Sequence, residues 1–379
     1  MATFDPSSRE REARAEIQAT KVPRLIALVL IALTVLPILS FPVLEFLAER
    51  SEVAAVLSKL LQVGTLSPQA WNTFLRDRFA ELTRTFDEQS VLARTAQPWT
   101  QAILTEFLRY GNEQAFLGLS KTLQYRGDFR LHTLRNRGSK RFGIQAAQEI
   151  QDLDQFFRAR GQFLFVVVVP ARAAWLPPEP VGSKRPYPRS VPFYAALFRE
   201  LHAANVAFLD PTEILSRLAL SEPPFLKTDT HWTPRAVELV TREVALRLRE
   251  MAKLPPGAPD EFEMSLETRR WTGDLVQLLR LPTRFQARWQ ETVTQRVVRH
   301  EKGKGQSPVV LVLGDSFAGA SDLPDLLAYQ LGLPVVSFIK HAETNRRYLP
   351  MLQEKIEREL APLSAIRVAV LVVTARNLD

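Results

Sequence analysis

Apolar residues fall along this chain in two different rhythms, and the change between them divides it. From Leu25 to Leu44 about 20 residues pass without a charge, enough for a helix to cross a hydrocarbon layer of about 30 Å. From Glu49 to about Tyr110 the spacing is helical. Leu57, Leu60 and Leu61 share one face, as do Phe74, Phe79, Leu82 and Phe86, with Pro68 and Pro98 as punctuation. From Gly111 onward, amphipathic stretches alternate with short β-branched runs. The pattern predicts helices over Ile144–Arg160, Phe193–Ala204 and Leu323–Leu331. It predicts strands at Phe163–Val169, Val206–Leu209, Val309–Leu313, Val335–Ile339 and Val368–Val373. Runs apolar at every position are expected of central strands covered on both faces. Thr233 and Pro234 read as N-cap and first residue of another helix, directed towards Ala252. Pro170 and the proline-rich Trp175–Pro188 segment read as loop. Helices alternating with buried strands imply an α/β fold: three layers around a mostly parallel sheet.

The flanks of the first apolar run give it a direction. Lys21 and Arg24 precede it, and Glu45 and Glu49 follow. Positive charge favours the cytoplasmic side, so the remainder of the chain is expected beyond the membrane. The charged leader and the apolar run are both too long for a cleaved signal peptide. The expected organisation is a cytoplasmic leader (1–24), a single uncleaved anchor (25–48), a helical spacer (49–110) and a catalytic domain (111–379). That places the domain on the outer side of the membrane, exported from the cytoplasm. Among 379 residues there is no cysteine, which excludes disulfides, thiolate metal sites and cysteine nucleophiles. The net charge is +8, but basic residues are interspersed with acidic ones, without the clustered aromatics of a nucleic-acid surface. No glycine-rich phosphate loop or metal-ligand cluster stands out, so no cofactor and no metal is expected.

Two segments carry chemistry. Asp229-Thr230-His231-Trp232 offers a carboxylate and an imidazole two residues apart. Gly314-Asp315-Ser316-Phe317 puts a serine just past a strand's carboxyl end, where parallel sheets bind ligands. Ser316 as nucleophile, His231 as base and Asp229 as the acid that orients it are the parts of an acyl-transfer site. Asp315 and Ser316 are also suited to cap the next helix. Of the other histidines, His202 falls in a helix beside a core face. His132 and His300 sit among arginines, and His341, after a strand, is the one rival base.

These segments resemble the SGNH-hydrolase-like domain of the alginate O-acetyltransferase family. Here, as in that family, Asp-x-His comes before Gly-Asp-Ser, the reverse of the usual SGNH order. Val166–Pro170 followed by Arg172, Thr272-Gly273-Asp274-Leu275 and Arg376-Asn377-Leu378 add to the likeness, which spans roughly Trp71 to Asp379. Gly118–Tyr125 departs from the family's glycine- and tryptophan-containing segment. The resemblance implies acetyl transfer through an acetyl-serine onto hydroxyls of an exported polysaccharide. It also implies a multispanning membrane O-acyltransferase as the partner that supplies acetyl groups. The Ser316 N–H is then one oxyanion donor, with Gly273 and Asn345 as candidates for a second. Trp232 is either a sugar platform or core, and Arg376 either binds an anionic substrate or pairs within the fold. An exported carbohydrate esterase and a non-catalytic assembly or binding subunit are the alternatives.

Overall fold

The computed structural model describes residues 91–118, 122–129, 136–175, 191–258, 260, 262–300, 307–341, 347–360 and 364–378. The Leu25–Leu44 stretch lies outside them. Among the described residues no helix is long and apolar enough to cross a membrane. Contacts divide the chain after Thr100, and Gln101–Asp379 forms one compact unit.

Helix α1 (Val91–Glu106) holds Pro98 in its interior, where the sequence pattern reads a break. A proline there forfeits one helical hydrogen bond and bends the axis without ending the helix. A small hairpin follows, β1 (Ala115–Leu117) against β2 (Leu123–Tyr125), then α2 (Asn136–Arg158), β3 (Phe163–Val169), α3 (Pro192–Ala203), β4 (Ala207–Leu209) and α4 (Thr212–Leu218). Next come α5 (Pro234–Met251), β5 (Phe262–Trp271), α6 (Asp274–Leu278), α7 (Thr283–Gln286) and β6 (Glu291–His300). The chain then continues through β7 (Val310–Gly314), α8 (Ser316–Gly319), α9 (Leu323–Leu331), β8 (Val335–Ile339), α10 (Tyr348–Glu359) and β9 (Val368–Thr374).

Five strands form a parallel sheet in the order β4-β3-β9-β7-β8. Strand periodicity assigns its residues to two cores. Leu164, Val166 and Val168 of β3, with Leu371 of β9, pack under α2, α3 and α10 through Ile150, Leu197 and Leu352. Phe165, Val167 and Val169, with Val370 and Val372, pack under α5 and α9 through Val240 and Leu327. The α/β architecture and parallel sheet expected from the alternating runs are present, and every strand read from those runs falls within one residue of its expected ends.

The pattern missed a second element. β5 and β6 pair antiparallel over ten residues, from Phe262↔His300 to Trp271↔Glu291. Most of β5 is solvent-exposed and four of its ten residues are charged, so it carries neither an apolar run nor a clean alternation. A third core joins the β1–β2 hairpin to α6 through Ala115, Leu123, Leu275 and Val276.

Gly314 ends β7 with φ +148, and a Cβ there would lie 1.8 Å from the Val372 carbonyl oxygen of the neighbouring strand. Only glycine fits both the dihedral and the close approach. Gly314→Ala is therefore expected to cost at least about 2 kcal/mol in urea unfolding; a variant as stable as wild type would contradict this account of the turn.

Candidate active site

Three adjacent strands, β3, β9 and β7, end beside one another, and each hands the chain directly to the site. Arg172 follows β3, Arg376 and Asn377 follow β9, and Ser316 follows β7. Such strand ends are where parallel sheets gather functional groups.

The segment between α4 and α5 folds into a tight turn over this edge. Phe225 and Trp232 bridge antiparallel, and the Leu226 N–H donates to the His231 carbonyl at 3.0 Å. Lys227 to Thr230 form the tip between them. Thr233 then caps α5, its hydroxyl oxygen accepting from the Ala236 N–H at 3.3 Å.

Every side of this turn is tied down. The Glu291 carboxylate accepts from the Thr228 N–H (2.9 Å), the Thr228 hydroxyl (2.6 Å) and the Lys227 N–H (3.2 Å). Asp274 accepts from the Thr230 N–H at 2.7 Å and its hydroxyl at 2.5 Å. Arg172 donates to the carbonyls of Leu226 (2.8 Å), Lys227 (3.2 Å) and Leu123 of the hairpin (2.8 Å). Arg376 donates to the Thr230 hydroxyl at 3.3 Å. Gly273 makes the approach of α6 possible, since a Cβ there would sit 2.0 Å from the Thr228 carbonyl oxygen.

Within the clamp, Asp229 and His231 are joined. Asp229 Oδ1 lies 2.6 Å from His231 Nδ1 and accepts from the His231 N–H at 2.9 Å. Its Oδ2 accepts from Trp271 Nε1 at 2.9 Å and from the Asp274 N–H at 3.2 Å. Four donors thus saturate a carboxylate that is 2% exposed. Burial works against the charge, but the hydrogen bonds and charge of His231, with the Trp271 N–H, outweigh it and hold Asp229 below the usual carboxylate range. Asp274 moves the other way, raised by burial and by the neighbouring Asp229 charge, with Thr230 opposing. An ionised Asp229 assigns the proton to His231 Nδ1 and leaves Nε2 as the basic nitrogen. That Nε2 is buried and makes no hydrogen bond among the described residues, the Ser316 hydroxyl included. The His231 ring lies against Phe317, centroids 4.7 Å apart, so the imidazole rests on the residue next to Ser316.

Ser316 is the first residue of α8 and is half-buried. Asp315, fully buried, caps that helix by accepting from the Phe317 N–H at 2.9 Å. It also accepts from the Thr374 N–H (2.9 Å) and Asn377 Nδ2 (2.7 Å), pinning the β7 turn to the end of β9. Burial raises the Asp315 pKa against these donors and the Arg376 charge.

Other candidates resolve differently. Trp232 has no exposed surface and packs in the core beside Phe317, at 6.0 Å between ring centroids, so it cannot serve as a sugar platform. Arg376 pairs within the fold: it bonds Asp128 at 3.0 Å and lies over the Tyr125 and Phe317 rings. Gly273 sits at the N-terminus of α6 against Thr228. Asn345 and His132 lie outside the described residues. His202 and His341 are exposed. Sequence reasoning missed the supporting groups Trp271, Asp274, Glu291, Arg172 and Asp128. Arg172 and Asp274 lay inside segments quoted for the resemblance, whereas Glu291 and Asp128 carried no signal at all. The ligand atoms of Asp229, His231 and Asp274 fall within 4.8 Å of one another. Their carboxylate oxygens already face N–H and O–H donors, which a cation would have to displace.

Residues 129–364, well over half of the chain, match the model of the SGNH hydrolase-like domain of the acetyltransferase AlgX. The chain belongs to this family. Among relatives of this AlgX-type protein, the probable alginate O-acetylase AlgJ of Pseudomonas fluorescens is 28% identical over 222 residues, covering 54% of each chain. Its counterpart in Pseudomonas syringae is 30% identical over 142 residues, 36% of this chain and 34% of that one. The chain thus matches between a third and about half of these relatives' length. The structure of the O-acetyltransferase domain of Pseudomonas putida AlgJ superposes with a TM-score of 0.55 at 21% identity, covering 70% of this chain and 92% of that one. That likeness establishes the shared SGNH-like fold.

Two outcomes follow from the clamp. Arg172→Met leaves three carbonyls without their donor and should cost about 3 kcal/mol in urea unfolding, with Arg172→Lys intermediate; equal stability of all three forms would contradict the tie. Asp229 is held below its unfolded value of about 3.9. The stability it contributes is complete above that pH and is lost as pH falls through the lower folded value. Asp229→Asn removes this dependence, so wild type and variant should converge in stability on acidification; a constant offset in urea titrations at descending pH would refute it.

Proposed function

We propose that this protein is a membrane-anchored O-acetyltransferase that moves an acetyl group through an acetyl-serine at Ser316 onto hydroxyls of an exported polysaccharide. The observation that carries the reading is the Asp229–His231 pair. Its 2.6 Å bond orients an imidazole whose buried Nε2 remains available as a base, packed against the helix that begins at Ser316.

In this reading His231 Nε2 takes the Ser316 hydroxyl proton as Oγ bonds to the carbonyl carbon of an acetyl donor. The tetrahedral intermediate collapses, the donor's leaving group departs with that proton, and the acetyl ester remains on Ser316. A sugar hydroxyl then attacks the ester carbonyl while His231 accepts its proton. The ester bond to Oγ breaks, and the proton returns to Ser316. Asp229 stabilises the imidazolium formed in each half. The Ser316 N–H serves as one oxyanion donor, a contribution typically worth about 3 kcal/mol. The polysaccharide acceptor is supported by the relatives' names, and the outward placement by the charge asymmetry around Leu25–Leu44. Acetyl groups reach the outer side of the membrane through a multispanning O-acyltransferase partner in this scheme.

Ser316→Ala tests the reading. Acetyl transfer to an oligosaccharide, followed by mass spectrometry, should fall by at least about 10³-fold, and a wild-type acetyl adduct should map to the peptide containing Ser316. Unchanged transfer in the variant would end this mechanism. Release of acetate without any acceptor dependence would instead make the protein an esterase.

A further inference from the structure

A large cavity among the described residues lies away from the residues proposed for the acyl chemistry. It has a volume of about 780 Å³ and is lined by Lys227–Thr228 of the turn, the start of α5 and the root of β6. Asp229, His231 and Ser316 are absent from its wall. Its size is within the range of roughly 300–1,000 Å³ typical of ligand clefts, and no step of the proposed chemistry uses it.

The wall mixes two aromatics, Trp289 and the buried Phe225, with groups suited to hydroxyls. Trp289 is half-buried, its indole N–H tied to Glu106 at 3.3 Å. Thr292 and Thr294 are exposed and alternate along β6 with buried Val293 and Gln295, so both hydroxyls stand on one side of the strand. Gln290 is exposed, and its amide nitrogen bonds Thr272 at 3.3 Å, which leaves its carbonyl oxygen to accept. Arg235 is 46% exposed although paired with Glu238 at 3.0 Å. Lys227 is exposed, and its ammonium forms no ion pair among the described residues. An aromatic surface beside hydroxyls, an amide and long cations fits a ligand with apolar ring faces and a rim of hydroxyls. A peptide helix would ask for a continuous apolar groove instead.

We propose that this cleft holds a stretch of the acceptor glycan, apart from the sugar being acetylated. The identity of the ligand rests on the polysaccharide reading above; the existence of the cleft does not. The turn that forms its rim carries the base: from Lys227 to His231 the chain spans at most about 14 Å. A strand held here lies across that turn, so the enzyme gains affinity from sugars that do not react.

Calorimetric titration of the full chain in detergent micelles tests the proposal, with an oligouronate and a cello-oligosaccharide of six sugars each as probes. At least one probe should bind. Trp289→Ala should weaken that binding about tenfold or more, and the double variant Thr292→Ala with Arg235→Ala at least about threefold, while Ser316→Ala binds as wild type. Should Trp289→Ala fail to fold, the surface double variant decides. The proposal is overturned if neither glycan binds, or if folded variants of the cleft bind as tightly as wild type. A protein that binds glycan at the cleft but transfers no acetyl group would retain the cleft and lose the transferase reading.

Discussion

The carboxylate of Asp229 is the point on which the site depends, because it is both buried and charged. A lone carboxylate in that position would take up a proton and cease to orient His231. Four hydrogen bonds, two to each oxygen, keep it ionised. Two come from His231 itself, one from the indole of Trp271 and one from the backbone of Asp274. The donors therefore arise from two segments, the turn itself and the Trp271–Asp274 stretch, and the acid cannot be satisfied until both have folded into place.

The rest of the architecture is arranged to deliver those segments. The parallel sheet brings the ends of β3, β9 and β7 side by side, so that Arg172, Arg376 and Ser316 begin next to each other. The β5–β6 ribbon is largely exposed, yet its root supplies Trp271 and Glu291, directly paired across the two strands. One grips the Asp229 carboxylate and the other the backbone of the turn. Arg172 is the costliest member. It is fully buried, and burial lowers its pKa against the opposing charges of Asp128, Asp274, Asp229 and Glu291. Its hydrogen bonds go to main-chain carbonyls of the turn and hairpin, which makes it a strut for the backbone.

How much was legible in sequence varied with the physical origin of each feature. Buried strands such as Phe163–Val169 and Val368–Thr374 were readable because burial on both faces demands apolar residues at every position. The Asp229–His231 pair was readable because two residues of spacing suffice to close it. Strand β5 was not, since seven of its ten residues face water and carry no apolar alternation. Trp232 beside His231 reads equally well as platform or core from sequence. Only its burial under α5, against Phe317, decides for core. Arg376 was ambiguous for a similar reason: its partner Asp128 lies 248 residues away in sequence.

By itself the sequence determined the α/β alternation, the family, and the two short segments that hold His231 and Ser316, because each depends on local spacing or on burial of contiguous residues. Tertiary structure alone decided which groups beyond His231 keep Asp229 ionised, why Gly273 and Gly314 tolerate no side chain, and where the large cleft opens. Those outcomes depend on contacts between residues tens to hundreds of positions apart, which no local pattern encodes.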